Sequence, residues 1–194
     1  MIDLIKKLFN RNTPTPETIV TRPTVPKKQG IHKATLKENK FIFNQVLASA
    51  QHGHFNRQYT QPMTHPGLKH QIDLSITLGK CPTASSKHPG RIVERTSRID
   101  VFFDSGTPVG FVWTVKNTNT EFEIYLLAVD TQARKTGIGS QLLNHAICTI
   151  PSNNKIVARL YKASNVMMDM MIKLGFTKGK KQGVSTTHLE LKKK

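Results

Sequence analysis

Acidic side chains are scarce in this chain: 12 Asp and Glu stand against 29 Lys and Arg in 194 residues, a formal net charge of +17. That balance disfavours polycationic partners and points to polyanions, namely nucleic acid, an acidic membrane surface or a phosphate-bearing cofactor. Cysteine is nearly absent. Cys81 and Cys148 cannot supply a disulfide scaffold or a four-cysteine zinc site, and they predict a reducing compartment. No apolar run reaches the ~18–20 residues that span a bilayer. Met1–Phe9 lacks the apolar core and small-residue cleavage site of a signal peptide, so a cytoplasmic location is the expectation. Hydrophobic residues make up only 37%, which predicts one packed core with polar tails or loops.

Three zones are legible. Residues 1–30 form a basic, Pro/Thr-rich tail or linker, because Pro14, Pro16, Pro23 and Pro26 withhold backbone donors and hold the chain extended. Its first residues (Ile2, Leu4, Ile5, Leu8 and Phe9, with Lys6 and Lys7 among them) make an amphipathic stretch too short to be helical alone. A second cluster of positive charge, Lys178, Lys180, Lys181 and Lys192 to Lys194, crowds the C-terminus.

The domain is expected over 31–194. Ile31–Thr35 reads as a strand and Leu36–Ala50 as a helix. The segment 51–97 is polar and broken by proline. Ile72, Leu74, Ile76 and Leu78 alternate within it, which predicts a strand. His52, His54, His65 and His70 lack the Cys or carboxylate that would complete a metal site, so they read as surface or hydrogen-bonded histidines. Beyond residue 97 the order is clear: strands over 98–103, 109–115 and 121–129, a helix over 137–150, a strand over 155–160, a helix over 165–174, and a final hairpin over 176–191. The helix carries one stripe, Ile138, Leu142, Leu143, Ala146, Ile147 and Ile150. The order β-β-β-α-β-α-β-β is an α/β arrangement with a mixed sheet.

Arg134 to Ser140 joins the apolar strand end Tyr125–Val129 to that helix. Two glycines, Gly137 and Gly139, let the backbone approach a ligand, and N–H groups converge where the helix dipole is positive, so the segment reads as an anion cradle. It is not a dinucleotide fingerprint. The third glycine would fall at Leu142, and the strand ends eight residues before Gly137. It is not a P-loop either, since no Gly-Lys-Ser/Thr follows.

This segment resembles the GNAT superfamily of acyl-CoA-dependent N-acetyltransferases. A strand ending in Val129 is followed by Arg134, two residues, Gly137, one residue and Gly139. Downstream, Asn165 precedes a helix ending at Lys173 to Phe176 as in that family. The resemblance covers roughly residues 98–192, with 31–50 as the family's first strand and helix and 51–97 as a variable acceptor-side segment. It implies a GNAT-like mixed central sheet flanked by helices, a disordered basic N-terminal tail, acetyl-CoA as co-substrate and no metal. It further implies that amides around Arg134, Lys135, Thr136, Gly137, Ile138, Gly139 and Ser140 hold the pyrophosphate. Leu127, Ala128 and Val129 would pair with pantetheine, and Asn165 would bond its arm. Lys135 stands where many members carry Gly, which requires its φ to stay negative.

Glu123, six residues before Val129, occupies a place resembling that of the base in the lysine-acetyltransferase branch. Glu121 is its reserve and Tyr125 a relay, all three on one face by the two-residue period. The family's acid, a Tyr four residues before the Gly of its Gly-Phe pair, is here Met171, which has no proton to give; Ser164, Tyr161 or water would substitute. The implied reaction is acetyl transfer to a primary amine of a protein or an aminoacyl-tRNA, docked through the basic surface, with a homodimer allowed. A non-catalytic module binding CoA or nucleic acid on the same scaffold is the alternative.

Overall fold

Alternating apolar residues and two tight turns between Ile92 and Val129 build the centre of the sheet, three consecutive antiparallel strands. The computed structural model describes residues 27–85, 88, 90–179 and 185–193. The tail expected over 1–30 therefore lies outside the described residues up to position 26, as does the turn expected at Gly183.

The elements are β1 (Gly30–Lys33), α1 (Asn39–Gln51), α2 (His65–Thr77), β2 (Lys80–Ala84), β3 (Ile92–Asp104), β4 (Thr107–Thr118), β5 (Glu121–Val129), α3 (Ile138–Thr149), β6 (Lys155–Tyr161), α4 (Asn165–Lys173), β7 (Thr177–Lys178) and β8 (Thr186–Lys192). The sheet order is β1-β3-β4-β5-β6-β8-β7. The 13-residue β3 takes two partners end to end on one edge, β2 along Ile92–Thr96 and β1 along Asp100–Phe103. All pairings are antiparallel except β5 with β6, where α3 makes the crossover.

The sheet is buried on both faces. Ile42, Phe43, Val46, Leu68 and Ile72 of α1 and α2 pack against Ile99, Val101, Phe111 and Trp113 on one face. Leu142, Leu143, Ala146 and Met171 of α3 and α4 pack against Val112, Ile124, Ile156 and Leu189 on the other. Gly110 on β4 permits the close approach of α3, since a Cβ there would lie 3.0 Å from Leu142 Cδ1 and 3.2 Å from the Ala128 carbonyl oxygen.

The mixed α/β sheet flanked by helices is as expected, and the order from β3 onward follows the sequence reading. The segment 72–78 is different: it is the end of helix α2 rather than a strand. Its buried positions are Leu68, Ile72, Ser75 and Ile76, spaced i, i+4, i+7, i+8, while Leu78 is 64% exposed. Ser75 hides the helical period because it is polar yet buried; its Oγ donates to the Lys80 carbonyl (3.2 Å) and accepts from Ser97 Oγ (2.9 Å). Strand β2, hidden in the proline-broken segment, was not foreseen.

Candidate active site

Parallel pairing between β5 and β6 is short. It joins Glu121–Ile124 to Lys155–Ala158 and then stops, although β5 continues to Val129 and β6 to Tyr161. The other edge of β5 stays paired with β4 as far as Val129. Among the described residues the backbone between Tyr125 and Val129 thus has no strand partner on the β6 side, and the two strands diverge into a cleft. A cavity of about 870 Å³ occupies it.

A bulge tunes which side chains enter the cleft. Trp113 pairs with Leu126 but its neighbour Thr114 pairs with Ile124, so Tyr125 is the extra residue. The bulge shifts the two-residue period. Glu123 and Tyr125 lie towards the α1/α2 face, as the alternation predicts, but Leu127 and Val129, which alternation would put beside them, pack on the α3/α4 face.

The loop after β5 is tied locally. Asp130 Oδ1 accepts from the Gln132 amide (3.0 Å), its other oxygen accepts from Gln45 of α1 (2.9 Å), and Arg134 Nε donates to the Val129 carbonyl (3.1 Å). Gly137, with φ +85°, caps α3 in a conformation that an L side chain rarely adopts. Lys135 has φ +65°, contrary to the negative value the sequence reading required of a non-glycine residue there. The loop therefore holds a strained residue where its neighbours in the motif are free to bend.

Of the residues singled out from sequence, Glu123, Tyr125, Leu127, Ala128, Val129, Arg134, Lys135, Gly137, Gly139, Ser140 and Ser164 line the cavity. Thr136 and Ile138 do not. Both border a second, open groove; Thr136 donates to the Ala133 carbonyl (2.7 Å), and Ile138, the first residue of α3, is buried. Asn165 is exposed at the start of α4, outside the cavity wall, and Ala163, Ser164 and Val166 line it instead. Met171, in the position of the family's Tyr, is fully buried.

Glu123 sits at the floor, 4% exposed. Its Oε1 accepts from Arg159 Nε at 2.8 Å and its Oε2 from Asn117 Nδ2 at 3.1 Å. Each carboxylate oxygen retains a lone pair for a further donor. Burial opposes the charge of Arg159, but Glu123 outweighs it and holds the guanidinium well above its ordinary value. Tyr125 Oη lies 3.1 Å from Tyr59 Oη. Burial, reinforced by Tyr59, pushes the Tyr125 hydroxyl far up, so it stays a neutral phenol. Glu121, the reserve base, is outside the cavity wall and clasped by Lys155 at 2.8 Å. Burial would raise its carboxyl, but bonds from Lys155 and Asn117 pull it below the usual range.

Ser164 Oγ lies 3.5 Å from His54 Nδ1 and donates to the His54 carbonyl at 3.4 Å. His54 itself lines the cavity. Burial, then the neighbouring Arg134 and His52, lower its imidazole below the ordinary value, against a hydrogen bond to the Ala163 backbone. Sequence reasoning read His54 as a surface or hydrogen-bonded histidine without assigning it to the site, and missed Tyr59, Arg95 and Arg159 altogether. Only the 3.1 and 3.5 Å contacts across 66 and 110 residues of chain bring Tyr59 and His54 to the site. Cys81 is buried outside the cavity wall, and burial pushes its thiol up to about 12, which removes it as a nucleophile. Among the described residues no cluster of His, Cys, Asp or Glu could hold a metal ion, and no helix is long and apolar enough to cross a membrane.

The cleft fits an extended, phosphate-bearing ligand. Unpaired strand backbone offers donors and acceptors, and the loop at the start of α3 presents Arg134, Lys135 and a positive helix end. Comparison with known proteins agrees with that geometry. The sequence profile described as the Acetyltransferase (GNAT) family matches residues 70–176, more than half of the chain. A search of curated proteins finds no match. Among solved structures, the PaiA N-acetyltransferase of Thermoplasma acidophilum in complex with coenzyme A is 15% identical. The match covers 84% of this chain and 98% of that one, with a TM-score of 0.59. The yncA protein of Salmonella typhimurium, solved with acetyl-CoA, is 16% identical over 86% of this chain and 94% of its own, with a TM-score of 0.60. An acetyltransferase from Thermus thermophilus is 13% identical over 84% and 96%, also at 0.60. At these identities the likeness is one of fold.

Proposed function

The chain belongs to the GNAT acetyltransferase family, and from that premise we propose that it transfers acetyl from acetyl-CoA to a primary amine by direct attack. The observation that carries this reading is the parting of β5 from β6 after Ile124, which leaves strand backbone from Tyr125 to Val129 open beside the Arg134–Ser140 loop. Acetyl-CoA, when bound, supplies an acyl group activated as a thioester. Backbone at Leu127, Ala128 and Val129 holds its pantetheine as an added strand. The loop residues Arg134, Lys135, Gly137, Gly139 and Ser140 receive its pyrophosphate.

An alkylammonium has a pKa near 10.4, so the acceptor must lose a proton before its nitrogen can attack at neutral pH. Among the described residues Glu123 is the only carboxylate on the cavity wall, and it receives that proton. Arg159 and Asn117 bond its two oxygens, which orients the carboxylate towards the arriving amine. The nitrogen bonds to the acyl carbon and the C–S bond breaks; the excess proton left on the nitrogen is lost and the thiolate takes one, so the amide and the thiol both end neutral. Ser164, with His54 Nδ1 at 3.5 Å, would relay that proton from nitrogen to sulfur, and neutral Tyr125 would be a second relay. An inert Cys81 supports direct attack over a covalent acyl-enzyme.

The acceptor is a primary amine whose bearer also carries negative charge, since the basic surface favours anionic partners. Glu123→Gln should lower kcat/KM by roughly 10²–10⁴, the range of general-base contributions, while CoA affinity by calorimetry stays within about twofold. Equal turnover by the variant would refute the base assignment. Tight CoA binding with no transfer to any amine would instead establish a binding module, the reading that the buried Met171 favours.

A further inference from the structure

Beyond the reacting nitrogen, the cavity wall says what else the acceptor carries. Among the described residues Glu123 is its only carboxylate, and Arg159 already pairs with it at 2.8 Å. Arg134 and Lys135 belong to the loop at the start of α3. The remaining cation on the wall, Arg95 of β3, is differently placed. It is half-buried, on the same sheet face as Ile99 and Val101, and thus turned towards Glu123. Its Nη1 donates at 2.7 Å to Asn117 Oδ1, a neutral amide oxygen. Among the described residues it has no carboxylate within ion-pair distance. The nearby acids Glu121 and Glu190 lie off the cavity wall and clasp Lys155 at 2.8 and 3.4 Å.

A half-buried guanidinium bonded only to a neutral group bears a desolvation cost that an arriving anion would offset. The hydrogen bond it makes uses one of five N–H donors, and the fork geometry of the rest suits a carboxylate. Asn117 ties this cation to the base. One carboxamide separates the Arg95 guanidinium from the Glu123 carboxylate, which puts the two charges within about 8 Å of each other at ordinary bond lengths.

We infer that the acceptor is a small amino-carboxylate, a free amino acid in chemical class, whose amine meets Glu123 while its carboxylate docks on Arg95. The inference rests on the acetyltransferase reading above. It explains why the wall is cationic around a reaction whose acceptor is itself a cation: the carboxylate cancels the repulsion that a simple amine or polyamine would meet.

The test compares matched pairs of amines that differ only in the carboxylate, such as lysine with cadaverine, ornithine with putrescine and β-alanine with ethylamine. Release of CoA thiol is followed for each, beside calorimetric binding of CoA. The carboxylated member should show at least tenfold higher kcat/KM. Arg95→Gln should lose that factor on the carboxylated member, chiefly through KM, and Arg95→Lys should restore part of it. An acidic tetrapeptide and its amide counterpart form a further arm. Equal kcat/KM within the wild-type pairs overturns the inference, and so does faster turnover of the tetrapeptide than of every free amino acid. No turnover of any amine, with CoA still bound, overturns it too and leaves the fold's cofactor reading standing. Failure to bind CoA overturns the acetyltransferase reading itself.

Discussion

Lys135 offers the sharpest test of how this loop is built, because two physical terms meet in one side chain. It is exposed, it lines the cleft, and its backbone sits at φ +65°. For an L residue that conformation costs roughly 1–2 kcal/mol, from crowding of Cβ against the following carbonyl. Glycine escapes that cost but gives up about 0.5–1 kcal/mol of unfolded-chain entropy. Lys135→Gly should therefore stabilise the ligand-free protein by about 0.5–1 kcal/mol, or ~1–4 °C in Tm for a chain of this length. The same change removes a charge facing the pyrophosphate. An exposed ion pair is worth about 0.2–1 kcal/mol, so CoA should bind roughly two- to fivefold more weakly. Lys135→Ala separates the terms. It loses the charge but keeps Cβ, so its CoA affinity should match that of the glycine variant while its stability should not rise. Urea unfolding without ligand and calorimetry with CoA measure both. If the glycine variant proves no more stable than the alanine variant, the strain argument is wrong.

The buried Asp100 carboxylate, held by Arg98 Nε at 2.7 Å and facing His145 at 3.4 Å, anchors β3 to α3. Asp100→Asn should cost about 2 kcal/mol in urea unfolding, a discount from the usual buried pair because Arg98 is half-exposed; a loss below 0.5 kcal/mol, on the order of a surface pair, would show the bridge to be inert. His54 titrates low because of burial and then Arg134. A bound pyrophosphate would neutralise Arg134, so the His54 titration followed by NMR should move upward with CoA, and CoA should bind more tightly as pH falls through that window. An unmoved His54 would place the phosphates elsewhere. In the ligand-free protein the sign reverses. A folded-state value below the unfolded 6.5 means stability is lost as pH falls from 6.5 towards the lowered value.

The path from β5 through the Arg134–Ser140 loop into α3 was legible in the sequence because its causes are local. A continuous apolar run makes a buried strand, two glycines make the cradle, and a 3.6-residue stripe makes the helix. Glu123 and Ser164, singled out through the family resemblance, both line the cavity. Where the signal was ambiguous, propensity lost to packing. Ile72 to Leu78 alternates as a strand would, yet Leu68 and Ile72 have a core to reach only if the segment is a helix on the sheet. The positive φ of Lys135 had no sequence signal, since nothing in a lysine announces it.

What composition and pattern determined by themselves was the class of fold, the glycine-bearing loop from Arg134 to Ser140 and the strand that carries Glu123. The rest was decided by tertiary structure. Register decided that Tyr125 bulges and turns Leu127 away from Glu123. Long-range packing brought Arg95, His54, Tyr59 and Arg159 from four separate elements to one cavity. The physical reason is that period and propensity act over a few residues, whereas a binding wall is assembled by contacts between segments that the chain keeps far apart. Its charge balance exists only once the sheet has closed.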